Sequence, residues 1–161
     1  MTDLLVLTVM VFTLGVLFIL TMLNVLHQHK NKAEAAWNEL DKQLIIRRDT
    51  IPCLLESARI KDPRWDNLKN MRTELLNNQI DKSHRLELEL KLGNAIEALI
   101  ATANEYENIH KDTVFLEASK DLKRDTAVEI KKAYDKWLVY SGEYNDKRKK
   151  FPYIVAAKLM R

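Results

Sequence analysis

The chain has 161 residues, of which 47% are hydrophobic and 30% charged, and it contains three Gly and three Pro. So few turn-forming residues exclude architectures rich in β-hairpins, and the apolar content excludes a disordered chain. The net charge of +3, from 26 basic and 23 acidic residues, is too balanced for a nucleic-acid-binding surface. We therefore expect an all-α protein without a nucleic-acid partner.

An apolar segment from Leu4 to Leu26 contains no charged residue. A helix of this length, at about 1.5 Å per residue, crosses a hydrocarbon core of about 30 Å. A cleaved signal peptide is the alternative, but Asp3 stands where such a leader is basic, and no small-residue cleavage pattern precedes His27. Residues 4–26 are therefore predicted to form a transmembrane anchor, which makes the membrane a partner.

The charges around this segment predict its orientation. Residues 1–3 contain no Lys or Arg, whereas Lys30 and Lys32 closely follow the span. Basic residues favour the cytoplasmic side, so we expect residues 1–3 outside the cytoplasm and residues 27–161 inside it. The single cysteine, Cys53, fits a reducing compartment, and its apolar neighbours predict that it is buried.

The region after the anchor has the spacing of amphipathic helices throughout. The anchor should continue without a break into the first soluble helix. Further helices are predicted over 63–80 and 84–109, the latter capped by Ser83. Asp112 should cap the last helix, and Pro152 should end it. The predicted fold is a transmembrane helix continuous with an antiparallel up-and-down four-helix bundle.

Apolar residues at helical spacing predict the core of this bundle. Trp137, Tyr144 and Phe151 recur every seven residues, as along a packed face. The side chains expected to be substantially buried are Trp37, Leu44, Tyr106, Phe115, Trp137 and Tyr144. Arg48 falls on the apolar side of the first helix, so it should meet a carboxylate or the carbonyls of a helix C-terminus. Pro52 should bend that helix.

Several motifs resemble those of the LemA family, where Trp is followed by Gln-Leu, Arg-Arg and Ile-Pro-Asn-Leu. The residues that match the family's motifs or are expected to have a structural role are Trp37, Gln43, Leu44, Arg47, Arg48, Ile51, Pro52, Tyr106, Phe115, Trp137, Tyr144, Asn145, Phe151 and Pro152. Cys53 replaces the family's Asn, and Tyr134 and Leu138 replace the Arg and Asn of an Arg-x-x-Tyr-Asn unit. The chain therefore looks like a divergent member.

The resemblance implies a bacterial inner or internal membrane, an N-terminus outside the cell and a cytoplasmic antiparallel helical bundle. It implies no reaction, because the family as a whole has no assigned chemistry. Some relatives are associated with the magnetosome membranes of magnetotactic bacteria, which adds such internal membranes as a minor alternative.

The residues themselves predict no catalytic, cofactor or metal site. His27 and His29 are two residues apart on a helix and point about 200° from each other, so they cannot chelate one ion. Glu87, Glu89 and Glu97 lie among charged positions of one helix, where a solvated surface is expected. We therefore expect no enzymatic activity, no cofactor and no small-molecule substrate.

These observations favour a non-enzymatic, membrane-anchored scaffold that binds protein partners or itself. The alternative is a membrane-remodelling or lipid-binding protein. Summed helix lengths would return the end of the last helix to within about 10 Å of the bilayer. The basic residues there, which are candidates for contact with the membrane surface, are Lys147, Arg148, Lys149 and Lys150. A solvated helix end, favoured by the helix dipole, is the other interpretation of this run.

Overall fold

The structure is a computed structural model, and the fold that it describes is helical. The residues described are 2–58, 63–77, 80–103, 106, 109 and 111–159. No strand occurs within these ranges. The prediction of an all-α protein is confirmed.

Helical elements occupy nearly all of the described ranges. In chain order they are α1 (Thr2–Ala58), α2 (Pro63–Leu75), α3 (Lys82–Ala103), α4 (Thr113–Lys120), a π-helical segment (Asp121–Thr126), α5 (Ala127–Lys149) and α6 (Tyr153–Leu159). Because α1 is one uninterrupted helix with Pro52 inside it, the apolar segment of residues 4–26 is continuous with the helix that follows it, as predicted. The up-and-down order of a four-helix bundle stays a prediction.

Helix α1 contains the segment that is able to cross a membrane. It is long and apolar enough for a span, and its apolar side chains from Leu4 to Leu20 are exposed. A core helix of a soluble protein would bury these side chains. The structure is therefore compatible with a membrane anchor at the N-terminus.

Helix α3 begins at a different residue from the one predicted. The side chain of Asp81 accepts a hydrogen bond from the backbone N–H of Ser83 at 3.1 Å, and the Ser83 hydroxyl also donates to this carboxylate. These bonds hold the pKa of Asp81 below its usual range. Asp81, and not Ser83, is therefore the residue that caps α3, because a carboxylate accepts from the free N–H groups of a first turn.

The last predicted helix is divided into several elements. Its start is as predicted, because the Asp112 side chain accepts from the Phe115 backbone N–H at 3.0 Å. Its end is not, because α5 stops at Lys149, and Phe151 lies in the following turn with 83% of its surface exposed. The Phe151–Pro152 peptide bond is cis. The stripe at seven-residue spacing therefore extends only from Trp137 to Tyr144.

The described residues divide into two compact units. Unit 1 contains those of 1–40 and 132–161, and unit 2 contains those of 41–131. The core of unit 2 consists of Ile51, Leu54, Trp65, Leu68, Leu75, Leu88, Leu92, Ile96, Leu99, Ile100, Ala103, Ile109, Phe115, Ala118 and Leu122. In unit 1, the rings of Trp37 and Trp137 meet edge to face with their centroids 5.4 Å apart.

Two predictions of burial are wrong. Tyr106 is 45% exposed, because α3 ends at Ala103 and helical spacing no longer sets the direction of this side chain. Cys53 is exposed. Its neighbours Ile51 and Leu54 are fully buried, but they project about 200° and 100° away from it around the helix axis. Apolar neighbours in sequence therefore do not place Cys53 on the buried face.

Candidate functional site

A cluster of buried and half-buried charges lies inside unit 2, and we call it the arginine–carboxylate cluster. Its members are Asp41, Arg47 and Arg48 of α1, Arg72 of α2, and Arg85 and Glu89 of α3. Asp41 and Arg48 are seven residues apart, so they share one face of α1. Arg85 and Glu89 are four residues apart and share one face of α3.

The carboxylate of Glu89 is the centre of this cluster. Its side chain is 3% exposed, Oε2 pairs with Nη2 of Arg47, and Oε1 lies 3.2 Å from Nε of Arg48. One carboxylate therefore bridges two consecutive arginines. The prediction that Glu89 lies on a solvated surface is wrong, whereas Glu87 and Glu97 are exposed as predicted.

Helical spacing contains the signal that would have placed Glu89 correctly. It precedes the buried Leu92 and Ile96 by three and seven residues, so all three lie on the same face of α3. Because Glu89 is charged, it was predicted to lie on the surface despite this spacing.

The guanidinium of Arg48 is held from several directions. Nη1 donates to the Leu75 carbonyl at 2.7 Å, and Nε donates to the Leu44 carbonyl at 3.3 Å. Leu75 is the last residue of α2, whose terminal carbonyls have no partner within the helix. Arg48 therefore has both a carboxylate and a helix C-terminus as partners, the two kinds of group that its position predicts.

Asp41 and Arg72 extend the cluster at its edges. Oδ1 of Asp41 accepts from Nη1 of Arg85 at 3.0 Å and lies 3.7 Å from Nη2 of Arg48. Nε of Arg72 donates to the Arg48 carbonyl at 2.9 Å. These contacts link α1 to both α2 and α3.

Hydrogen bonding in the cluster is incomplete. Nε of Arg47, Nε of Arg85 and Oε1 of Glu89 have no hydrogen-bond partner. Oε1 of Glu89 is close to Nε of Arg48, but that N–H donates to the Leu44 carbonyl. The contact between Glu89 Oε1 and Arg48 is therefore an ion pair without a hydrogen bond.

Gly93 provides the space for Arg47. A Cβ atom at this position would lie 2.9 Å from Nη1 of Arg47, closer than real Cβ contacts. The absent side chain lets the guanidinium lie against the backbone of α3, one turn after Glu89.

The chemistry of these groups favours a structural role. A guanidinium stays protonated at all physiological pH values and does not exchange protons as a catalytic acid or base would. The buried carboxylate of Glu89 and the half-buried carboxylate of Asp41 are both paired with arginines. Across the residues that the structure describes, no group of three or more His, Cys, Asp or Glu is arranged to hold a metal ion.

The other positions singled out from the sequence differ in their exposure. Buried positions are Trp37, Leu44, Arg48, Ile51 and Phe115. Half-buried positions are Gln43, Arg47, Pro52, Trp137, Tyr144, Lys147 and Pro152. Exposed positions are Tyr106, Asn145, Arg148, Lys149, Lys150 and Phe151. Unit 2 brings Arg47 and Arg48 together at Glu89, and unit 1 brings Trp37 and Trp137 together.

Comparison with known proteins gives the family of the chain. A family model described as the LemA family matches residues 36–161. The matched range contains the Trp37, Arg47-Arg48 and Ile51-Pro52 motifs. No curated protein and no solved structure matches the chain. Because the family model covers most of its length, this chain belongs to the LemA family.

Proposed function

We propose that this LemA-family protein is a non-enzymatic, membrane-anchored scaffold that binds protein partners, other copies of itself included, through the helices outside the membrane. The observation that supports the proposal is an apolar patch on α5, made of Tyr134 and Leu138. These side chains are 39% and 53% exposed.

The patch begins at the edge of the packed side of α5, where the ring centroids of Tyr134 and Trp137 are 5.8 Å apart, and it continues to Leu138 on the outer surface. Ala133 is buried and Trp137 contacts Trp37, so these residues define the packed side. Tyr134 and Leu138 are one turn apart, so their side chains are neighbours on the helix surface. A helix with a single packed face would carry polar residues there, whereas a cluster of exposed apolar side chains is typical of an interaction site.

The same proposal places the protein in a bacterial inner or internal membrane, with its N-terminus outside the cytoplasm. The charges on the two sides of the apolar segment support this orientation, because Lys30 and Lys32 follow it and residues 1–3 contain no Lys or Arg. The partner surface on α5 would then face the cytoplasm.

A photo-crosslinking amino acid at Tyr134 of the full-length chain tests the scaffold proposal in native membranes. We expect discrete adducts, because a protein seated on the patch lies next to this side chain. An adduct at twice the mass of the chain would identify a second copy, and an adduct of another mass a different protein.

Two variants of the chain that carries the photo-crosslinking amino acid at Tyr134 make this test specific. Leu138→Lys places a charge within the patch and should abolish the adducts. Asn70→Lys adds the same charge at an exposed position of α2 and should leave the adducts intact. The scaffold proposal fails if Tyr134 forms no discrete adduct, or if Leu138→Lys does not weaken the adducts more than Asn70→Lys.

A further inference from the structure

An apolar pocket of about 150 Å³ lies in unit 1. Its walls are formed by Phe18, Ile19 and Met22 of α1 and by Phe151, Pro152 and Val155. The segment that begins with Phe151 therefore lies beside the part of α1 that is predicted to cross the membrane.

The position of the pocket along α1 places it below the lipid headgroups. The apolar segment ends before His27, and Met22 and Phe18 precede this residue by five and nine positions. At about 1.5 Å per residue the pocket lies roughly 7–14 Å from that boundary. Interfacial helices bury their apolar face to a depth of about 5–10 Å, so the two ranges overlap.

The side chains in the turn before α6 and in its first residues suit this environment. Phe151, Ile154 and Val155 are 83%, 40% and 49% exposed. Such a group of apolar side chains is unfavourable in water, but it is stable against the acyl chains that surround α1 at this depth.

The basic run, Lys147 to Lys150, lies at the boundary itself. Nζ of Lys147 is 2.6 Å from Nε2 of His29, a residue that closely follows the apolar segment. Arg148, Lys149 and Lys150 are exposed. The guanidinium of Arg148 lies over the ring of Tyr144 at 5.8 Å. Exposed guanidinium and ammonium groups form charge-assisted hydrogen bonds with phosphate oxygens, so this run suits the headgroup level.

We propose that residues 147–159, together with the end of the membrane-spanning segment, form a binding site for an anionic phospholipid of the adjacent leaflet. Arg148, Lys149 and Lys150 bind the phosphate, and the pocket holds a segment of one acyl chain. An apolar cavity of about this size accommodates a molecule as large as benzene, and therefore a few methylene groups. This site rests on the membrane anchor of the proposed function but not on its protein partners.

Lipid selectivity of the full-length chain tests the charged half of the site. The protein is extracted in mixed micelles of equal amounts of phosphatidylglycerol and phosphatidylcholine, and the bound lipids are measured by mass spectrometry. We expect phosphatidylglycerol to be enriched. Replacing Arg148, Lys149 and Lys150 with Gln should lower the ratio of phosphatidylglycerol to phosphatidylcholine at least about tenfold, because each basic residue contributes to binding an anionic surface.

A matched control distinguishes an effect of the proposed site from an effect of the protein's net charge. Replacing Lys42, Lys69 and Lys120 with Gln removes the same charge at exposed positions of unit 2 and should leave the ratio unchanged. The charged site is overturned if the wild type shows no enrichment, or if the two triple variants give the same ratio.

Filling the pocket tests the apolar half. Val155→Trp should remove the phospholipid that the wild type retains at high salt, where surface electrostatics are screened. Ile154→Trp places the same bulk on a half-exposed residue outside the pocket wall and should retain it. Equal retention by Val155→Trp and wild type would overturn the acyl-chain pocket. Adducts at Tyr134 report on the scaffold separately, so failure of one proposal is distinguishable from failure of the other.

Discussion

Replacing Glu89 with Gln should lower the free energy of unfolding by about 3–5 kcal/mol, because it removes the carboxylate that faces the buried guanidinium of Arg48 and the half-buried one of Arg47. Glu89 is 3% exposed and faces both Arg47 and Arg48. Gln has nearly the same shape, so the loss would report on charge rather than on packing. Urea unfolding of the detergent-solubilised full-length chain, followed by circular dichroism, measures the difference.

Glu87→Gln is the matched control on the same helix. Glu87 is exposed, and its hydrogen bond from Lys91 at 2.7 Å holds the pKa of its carboxyl below the usual range. An exposed pair of this kind is screened by water and contributes little. Glu87→Gln should therefore unfold near the wild-type urea concentration. Equal midpoints for the two variants would show that the arginine–carboxylate cluster does not stabilise unit 2.

Phe115→Ala should also lower the free energy of unfolding by about 3–5 kcal/mol, because it opens a cavity in the core of unit 2. Phe115 is fully buried at the start of α4, where Asp112 caps the helix. The same urea measurement gives the change. The direction is fixed by lost apolar burial and lost van der Waals contacts.

Leu116→Ala provides the comparison for this second prediction. Leu116 is the next residue of α4 and is 39% exposed, so its truncation removes less buried surface and should cost clearly less. A loss for Leu116→Ala as large as that for Phe115→Ala would mean that the core does not have the packing described for unit 2.

Much of the fold follows from spacing and from the cost of burying charge. The apolar segment and the scarcity of Gly and Pro predict the long helix α1 and the all-helical chain. Asp112 caps α4 because its side chain accepts from Phe115, as an N-cap residue should. Arg48 has the partners that a charge on an apolar seam requires.

The sequence predicts the burial of a side chain less well where a helix end, or a partner on another helix, determines that burial. Tyr106 and Phe151 lie beyond the ends of α3 and α5, so the periodicity that predicted their packing does not apply. Glu89 is buried because Arg47 and Arg48 of another helix neutralise it, and single-helix patterns do not show such partners. Gly93 matters for a similar reason, since the atom that it accommodates belongs to α1.

Sequence patterns also do not predict the pocket beside α1. Summed helix lengths predicted that the end of the last helix returns towards the membrane. They did not predict that Phe151 and Val155 share a pocket with Phe18, because that contact depends on the turn between α5 and α6. The basic run itself is visible in the sequence, but its hydrogen bond to His29 is not.

Labelling of Cys53 tests most directly the central claim that an N-terminal anchor holds the LemA region inside the cytoplasm. Cys53 is the only cysteine of the chain, and it is exposed on α1. In cells with an intact membrane, a membrane-impermeant maleimide should leave the protein unlabelled, and opening the membrane should allow labelling. A Cys53→Ser, Thr2→Cys variant should show the opposite, with labelling in intact cells. Labelling of Cys53 before the membrane is opened would contradict the orientation, and with it the cytoplasmic scaffold.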